Sequence, residues 1–264
     1  MARYTHGHGE SVLRSHRWRT AENSAAYLLP HLHPGASLLD VGSGPGTITA
    51  DLATLVAPGR VTALEATDEA LALTGAELGR RGLAADLVVG DVHDLPFPDG
   101  SFDVVHAHQV LQHVADPVRA LAEMRRVCRR GGTVAVRDSD YAAFTWWPAL
   151  PALDRWLALY EEAARANGGE PDAGRRLLAW ARAAGFEEPT VGASTWCFAT
   201  PEDREYWGGM WAARILDSAL ARQLLEERRC DPDELEEISA AWRAWAADPD
   251  GWFVVLHGEL MARP

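Results

Sequence analysis

One short segment constrains this chain more than any other. Leu39-Asp40-Val41-Gly42-Ser43-Gly44-Pro45-Gly46-Thr47 sets three glycines at alternate positions. They follow the apolar run Ser37–Val41 directly and precede Thr47–Val56, whose apolar residues recur at helical spacing. An apolar strand that ends on a Gly-rich turn and feeds a helix opens a βαβ unit. Glycine removes the Cβ that would hold the backbone away from a ligand. Ligands of open α/β sheets bind at the carboxyl edge of the strands, where this turn must lie. The helix start then offers N–H groups to an anion. A tight turn that binds nothing would use the same residues.

The pattern to residue 140 repeats strand and helix. Arg60–Glu65, Asp86–Val89, Phe102–Ala107 and Thr133–Arg137 read as strands. Asp68 is the expected N-cap of a helix through Arg81 that Gly82 closes, and Pro117–Arg130 is a helix with Pro in its first turn and Gly131-Gly132 after its end. Ser11–Leu32 reads as one or two polar helices ahead of the core. After Asp140 the pattern changes. Pro151–Ala166 and Gly174–Ala184 read as helices, Val191–Phe198 as a strand, Glu202–Ala247 as further helices and Trp252–Leu260 as a final strand. The expected fold is α/β with a mostly parallel, Rossmann-like sheet. Residues 1–140 would carry a lid and the cofactor-binding part. Residues 141–264 would supply a helical cap over the active edge and the last two strands of the same sheet.

Two carboxylates stand in register with the glycine turn. Glu65 ends the second strand, where an acid can accept both hydroxyls of a ribose. Asp91, in Gly90-Asp91-Val92, follows the third strand and can accept an adenine amino group, with Leu95-Pro96-Phe97 flanking the ring. A nicotinamide dinucleotide is an alternative ligand. Its fingerprint is G-x-G-x-x-G, and here Thr47 stands where the third glycine belongs. Asp40 would also repel a pyrophosphate, whereas a cofactor with a cationic sulfonium and ammonium tolerates it.

Asp40–Gly46, Glu65, Gly90–Phe97, Phe102–Val114 and Met124–Val136 together resemble the class I S-adenosylmethionine-dependent methyltransferases, above all the ubiquinone/menaquinone-biosynthesis-like branch. The resemblance covers Tyr4 to Asp140 well and the remainder poorly. It implies a seven-stranded sheet with an antiparallel last strand, helices on both faces, and S-adenosylmethionine as cofactor, with S-adenosylhomocysteine as product. It implies that Gly42, Gly44 and Gly46 pass the methionine moiety, that Glu65 holds the ribose and that Asp91 and Val92 hold the adenine. Ser43 stands where many relatives have cysteine. Asp40, Ser43, Thr47, Ala66 and His108 complete the expected cofactor set. The alternatives of a nicotinamide-dependent oxidoreductase, or of a protein that binds S-adenosylmethionine without methylating, stay open at this point.

The acceptor is expected to be a small molecule of aromatic or isoprenoid-like kind, methylated on O, N or C. His106, His108, Gln109 and His113 leave the fourth strand together. They lack the carboxylate or cysteine spacing of a metal site, so no metal is expected. Neutral imidazole titrates near physiological pH, which makes His108 and His113 candidate bases. Asp138-Ser139-Asp140-Tyr141 leaves the fifth strand at the same edge. Asp138 is a third candidate catalytic group, and Asp140, Tyr141, Trp146 and Trp147 are candidate acceptor contacts, although turn chemistry explains Asp and Ser there equally well. All eleven tryptophans except Trp18 fall after residue 145. Aromatic walls suit flat or cationic ligands, and most single tryptophans serve a core. Tyr4, His6, His8, His16 and Arg17 could belong to a lid.

A formal net charge of -13 disfavours a nucleic-acid partner. Cys128, Cys197 and Cys230 lie far apart, which argues against a disulfide framework or zinc site. The N-terminus has no apolar h-region and no apolar run reaches membrane length, so no membrane partner and a cytoplasmic location are expected. The sequence leaves the oligomeric state open.

Overall fold

The computed structural model describes residues 18–264. Tyr4, His6, His8, His16 and Arg17, read above as a lid, lie outside the described residues. The strands are β1 Leu38–Val41, β2 Val61–Glu65, β3 Asp86–Val89, β4 Phe102–His108, β5 Cys128–Ser139, β6 Thr145–Trp147, β7 Thr190–Phe198 and β8 Trp252–Ala262. The helices are α1 Ala21–Ser24, α2 Thr47–Val56, α3 Asp68–Arg80, α4 Pro117–Val127, α5 Pro151–Ala166, α6 Leu177–Ala183, α7 Pro201–Asp217, α8 Ala219–Glu226 and α9 Pro232–Ala247.

All strands share one sheet in the order β3-β2-β1-β4-β5-β8, with β7 on the other edge of β8. Strands β1 to β5 run parallel, and β8 is antiparallel to both β5 and β7. Strand β6 is an addition to the seven strands expected. It pairs with β8 at Thr145↔Val254, beyond the last β5 pair at Ser139↔His257. It therefore extends the position of β5, and eight strands fill seven places.

Local chemistry moves some boundaries. The N-cap of α3 is Thr67, whose side chain accepts from the Ala70 amide, and Asp68 is the first helical residue. Helix α4 starts from an Asp116 cap with Pro117 behind it and stops at Val127, because Cys128 is already extended. Strand β5 is correspondingly longer than Thr133–Arg137. Within the described residues the polar N-terminal segment is the four-residue α1 and a single 3₁₀ turn at Leu29–His31.

Strand register gives the sheet two unlike faces. Leu39, Val41, Val105, Ala107, Val134, Val136 and Leu260 form one apolar face, packed on Leu121 and Met124 of α4 and Leu177 of α6. The opposite face is apolar only at its amino end, where Leu38, Val104 and Ala135 pack on α2. Toward the carboxyl end it turns polar: Asp40 pairs in register with His106, His108 with Arg137, Arg137 with Glu259 and Ser139 with His257. The helices after β7 build a separate core with α5 in which Trp156, Trp207, Trp211, Trp242 and Trp245 are buried. Most of the tryptophan-rich region is thus packing, the ordinary role of single tryptophans.

Candidate active site

The three glycines of the turn all have left-handed backbone, with φ of +70° at Gly42, +54° at Gly44 and +81° at Gly46. A Cβ on Gly42 would lie 2.5 Å from Val110 Cγ2, and one on Gly46 would lie 2.8 Å from Thr74 Cα. Gly44 has open space around it and is required for conformation alone. Thr74 of α3 pins the loop: its hydroxyl donates to the Gly44 carbonyl at 2.7 Å and meets Ser43 Oγ at 2.8 Å. Glu65 reaches across from β2, accepting from the Gly44 amide at 2.7 Å and from the Ala66 amide at 3.1 Å. Helix α2 begins at Thr47 with no side-chain cap.

The turn opens into a cleft of about 670 Å³, within the range of small-molecule and cofactor pockets. Every residue of the expected cofactor set except Gly46 lines it: Asp40, Gly42, Ser43, Gly44, Thr47, Glu65, Ala66, Asp91, Val92 and His108. Gly46 lies behind the wall against Thr74, where it lets the loop close on α3. Both oxygens of the Asp40 carboxylate are engaged by the fold. His106 Nδ1 binds one of its oxygens at 2.7 Å, and Thr49 Oγ1 donates to the other at 2.6 Å. Its carboxylate holds β1, β4 and α2 together. At the far end, the Asp91 Oδ1 accepts from the His93 amide and meets His93 Nδ1 at 2.6 Å. These contacts, led by the His93 amide, hold the Asp91 carboxyl below its usual range.

The other end of the cleft is formed by Arg19, His106, His108, Gln109 and His113. Gln109 is a non-glycine residue with φ of 55°, a sparsely populated conformation that tends to collect at functional sites. Its amide donates to the Arg137 carbonyl at 2.7 Å, and its side chain reaches Ser139 Oγ at 2.8 Å and His257 Nε2 at 2.9 Å. Burial first, then the Arg19 charge, depresses the basicity of His108 and His113, the latter to about 3. Both imidazoles are therefore neutral at physiological pH.

The residues after β5 do not join this cleft. Asp138 is fully buried on the apolar side of the sheet, accepts from the Gln112 amide at 3.0 Å, and is pushed up to about 7 by burial. Asp140 holds Arg175 through both oxygens, at 2.7 and 2.5 Å. Tyr141 stacks on Tyr160 at 4.0 Å, and Trp146 stacks on Phe253 at 5.5 Å. Trp147 is 59% exposed on the surface. The physical reason is β6: the chain runs on along β8 after Tyr141–Ala143 instead of folding back over the cleft. Asp138, Asp140, Tyr141, Trp146 and Trp147 are thus brought into structural contacts and away from His108 and His113.

Sequence reasoning missed Arg19, Thr74 and the strand residues Arg137 and His257. Arg137 carried a usable signal, a charged residue inside the apolar strand run Thr133–Arg137. Arg19 and Thr74 carried none, since each acts through contacts that only the fold creates.

One cleft thus joins a glycine cradle that side chains would fill to the carboxylates of Glu65 and Asp91. The comparisons agree. Residues 39–136 match the model of the methyltransferase domain family. An uncharacterized methyltransferase of Schizosaccharomyces pombe is 34% identical over 98% of this chain and 95% of its own length. A probable methyltransferase, ltbC, of Aspergillus luteorubrus is 28% identical over 98% of this chain and 96% of its own. A solved putative methyltransferase of Bacillus halodurans shares the fold, with a TM-score of 0.57 at 22% identity over 90% of this chain and 97% of its own. This chain belongs to the class I S-adenosylmethionine-dependent methyltransferases, and S-adenosylmethionine is its cofactor. That membership removes the nicotinamide alternative.

No helix among the described residues is long and apolar enough to cross a membrane.

Proposed function

We propose that this enzyme methylates O, N or C of a small-molecule acceptor, with the methyl group presented at the His108 end of the cleft. The observation that carries the reading is the continuity of one cleft from Asp91 past the glycine turn to His108 and His113. In this reading Asp91 and Val92 hold the adenine, Glu65 and Ala66 the ribose, and the backbone of Gly42–Thr47 the methionine part. The cofactor supplies an electrophilic methyl on a sulfonium. The residues of the chain orient the acceptor against it and exclude water. His108 and His113 are the candidate proton acceptors of this reading where the acceptor must lose a proton, and their lowered basicity confines that role to acceptors whose own proton is acidic. Asp138, sealed under the 3₁₀ turn Leu111–His113, holds that turn in place and touches no acceptor.

The test is production of S-adenosylhomocysteine across a panel of small aromatic, isoprenoid and amine acceptors. Turnover with at least one, and its loss by about 10²–10⁴-fold in His108→Ala or His113→Ala with cofactor affinity retained, supports the assignment. Cofactor binding with no methyl transfer to any class would favour a protein that binds S-adenosylmethionine without methylating.

A further inference from the structure

The two imidazoles named as candidate proton acceptors differ in what holds their rings. His113 Nε2 meets the side-chain nitrogen of Gln112 at 3.0 Å, whereas neither ring nitrogen of His108 has a partner among the described residues. Both histidines line the cleft and Gln112 does not. Gln112 is 3% exposed and sits behind the wall, in the 3₁₀ turn Leu111–His113.

Every polar group of Gln112 is engaged. Its backbone N–H donates to Asp138 Oδ1 at 3.0 Å, and its backbone carbonyl accepts from the Glu170 amide at 2.9 Å. Its side-chain oxygen accepts from the Ser139 amide at 3.0 Å. Asp138 and Ser139 of β5 thus clamp the residue from behind. A backbone N–H can meet only the oxygen of a carboxamide, so Ser139 fixes which end of the Gln112 side chain is which. The end that faces His113 is therefore the NH₂ group, which donates and cannot accept. A proton on His113 Nε2 would set two donors against each other. The lone pair of the ring must lie on Nε2 and the proton on Nδ1, since the bond made by one ring nitrogen decides the state of the other. Whatever Nδ1 meets, it meets as a donor.

We propose that Gln112 is a positioning residue of this enzyme: it locks His113 in the Nδ1–H tautomer, which makes His113 a hydrogen-bond donor and leaves His108 as the proton acceptor. The lock rests on the contacts of Gln112 alone. The division of roles during turnover rests on the methyltransferase reading. The low basicity of His113, about 3, agrees with a ring that keeps a single proton.

Nitrogen-15 NMR on the full chain without added ligand tests the lock, with the His113 signals identified by their loss in His113→Asn. In the wild type at neutral pH, Nδ1 should carry the proton and Nε2 should be bare. Gln112→Glu keeps an oxygen for the Ser139 amide and turns a second one toward His113, so the ring proton should move to Nε2. Gln112→Met removes the donor and should give a mixture of tautomers, which keeps the test sound if Gln112→Glu does not fold. A wild-type His113 protonated on Nε2 would overturn the lock, as would a tautomer unchanged in both variants. Kinetics test the division of roles. Asn can place an N–H where Nδ1 stood but cannot take up a proton. His113→Asn should therefore cost about 3–10-fold in turnover, the range for one neutral hydrogen bond, and His108→Asn about 10²–10⁴-fold. Equal losses in the two variants would overturn the division. Absence of turnover with every acceptor would remove the division together with the methyltransferase reading, and the NMR spectrum would still decide the lock.

Discussion

The two ends of the cleft are built by different means. At the glycine turn the ligand surface is backbone: three left-handed glycines, held by Thr74 and Glu65, with side chains kept out. At the His108 end it is side chain: the buried imidazoles of His106 and His108 rising from the polar face of the sheet, joined by Arg19 and by Gln109 with its positive φ. Backbone geometry tolerates almost no substitution at a few positions. A side-chain pocket can be rebuilt one group at a time without disturbing the strands. On the proposed reading the glycine end therefore suits a constant ligand, the cofactor, and the other end a variable one, the acceptor.

Substitutions at the two ends should separate accordingly. The largest effect is expected from Gly42→Val, which puts a branched side chain at positive φ into Val110. S-adenosylhomocysteine affinity should fall by more than about 10²-fold, corresponding to about 3 kcal/mol or more, while far-ultraviolet circular dichroism shows the fold retained. Glu65→Ala comes next. It removes the proposed ribose acceptor and the brace on the Gly44 amide, and calorimetry should show affinity reduced by about 10–100-fold.

Asp138→Asn should act on stability and not on affinity. Folding raises the Asp138 pKa from 3.8 to about 7 through burial, so the native state holds its proton more tightly than the unfolded chain. That stabilisation is complete below about pH 4 and is lost as pH rises through about 7. Asn cannot ionise and keeps an acceptor for the Gln112 amide. The variant should therefore melt above the wild type at pH 8, by an upper bound of about 4 kcal/mol, with the gap closing toward pH 4. A gap independent of pH would show that Asp138 is not held neutral. The smallest effect belongs to Trp147→Ala. Its ring is mostly exposed, so both melting temperature and turnover should stay near wild type. A large loss of turnover would return the acceptor contacts to the strand-β6 segment.

The parts that could be read from the sequence are those whose residues are contiguous. The strand, glycine turn and helix of residues 37–56 announce themselves in one stretch, and Glu65 and Asp91 follow at the ends of the next two strands. The proposed acceptor end was hidden because its members come from far apart. Arg19, His108 and His113 come to line one cleft only through the fold. Contiguity also misled. Trp146 and Trp147 follow Asp140 closely, yet backbone pairing with β8 outweighs proximity and carries them away from the cleft.

The most direct test of the cofactor cleft is the melting temperature of the wild-type chain with S-adenosylhomocysteine and, separately, with NAD. A ligand that binds only the native state at about 100 times its dissociation constant adds about 2.7 kcal/mol of stability, or several degrees for a chain of this size. S-adenosylhomocysteine should produce that rise, and Glu65→Ala should largely abolish it at the same concentration. A rise with NAD and none with S-adenosylhomocysteine would contradict the account.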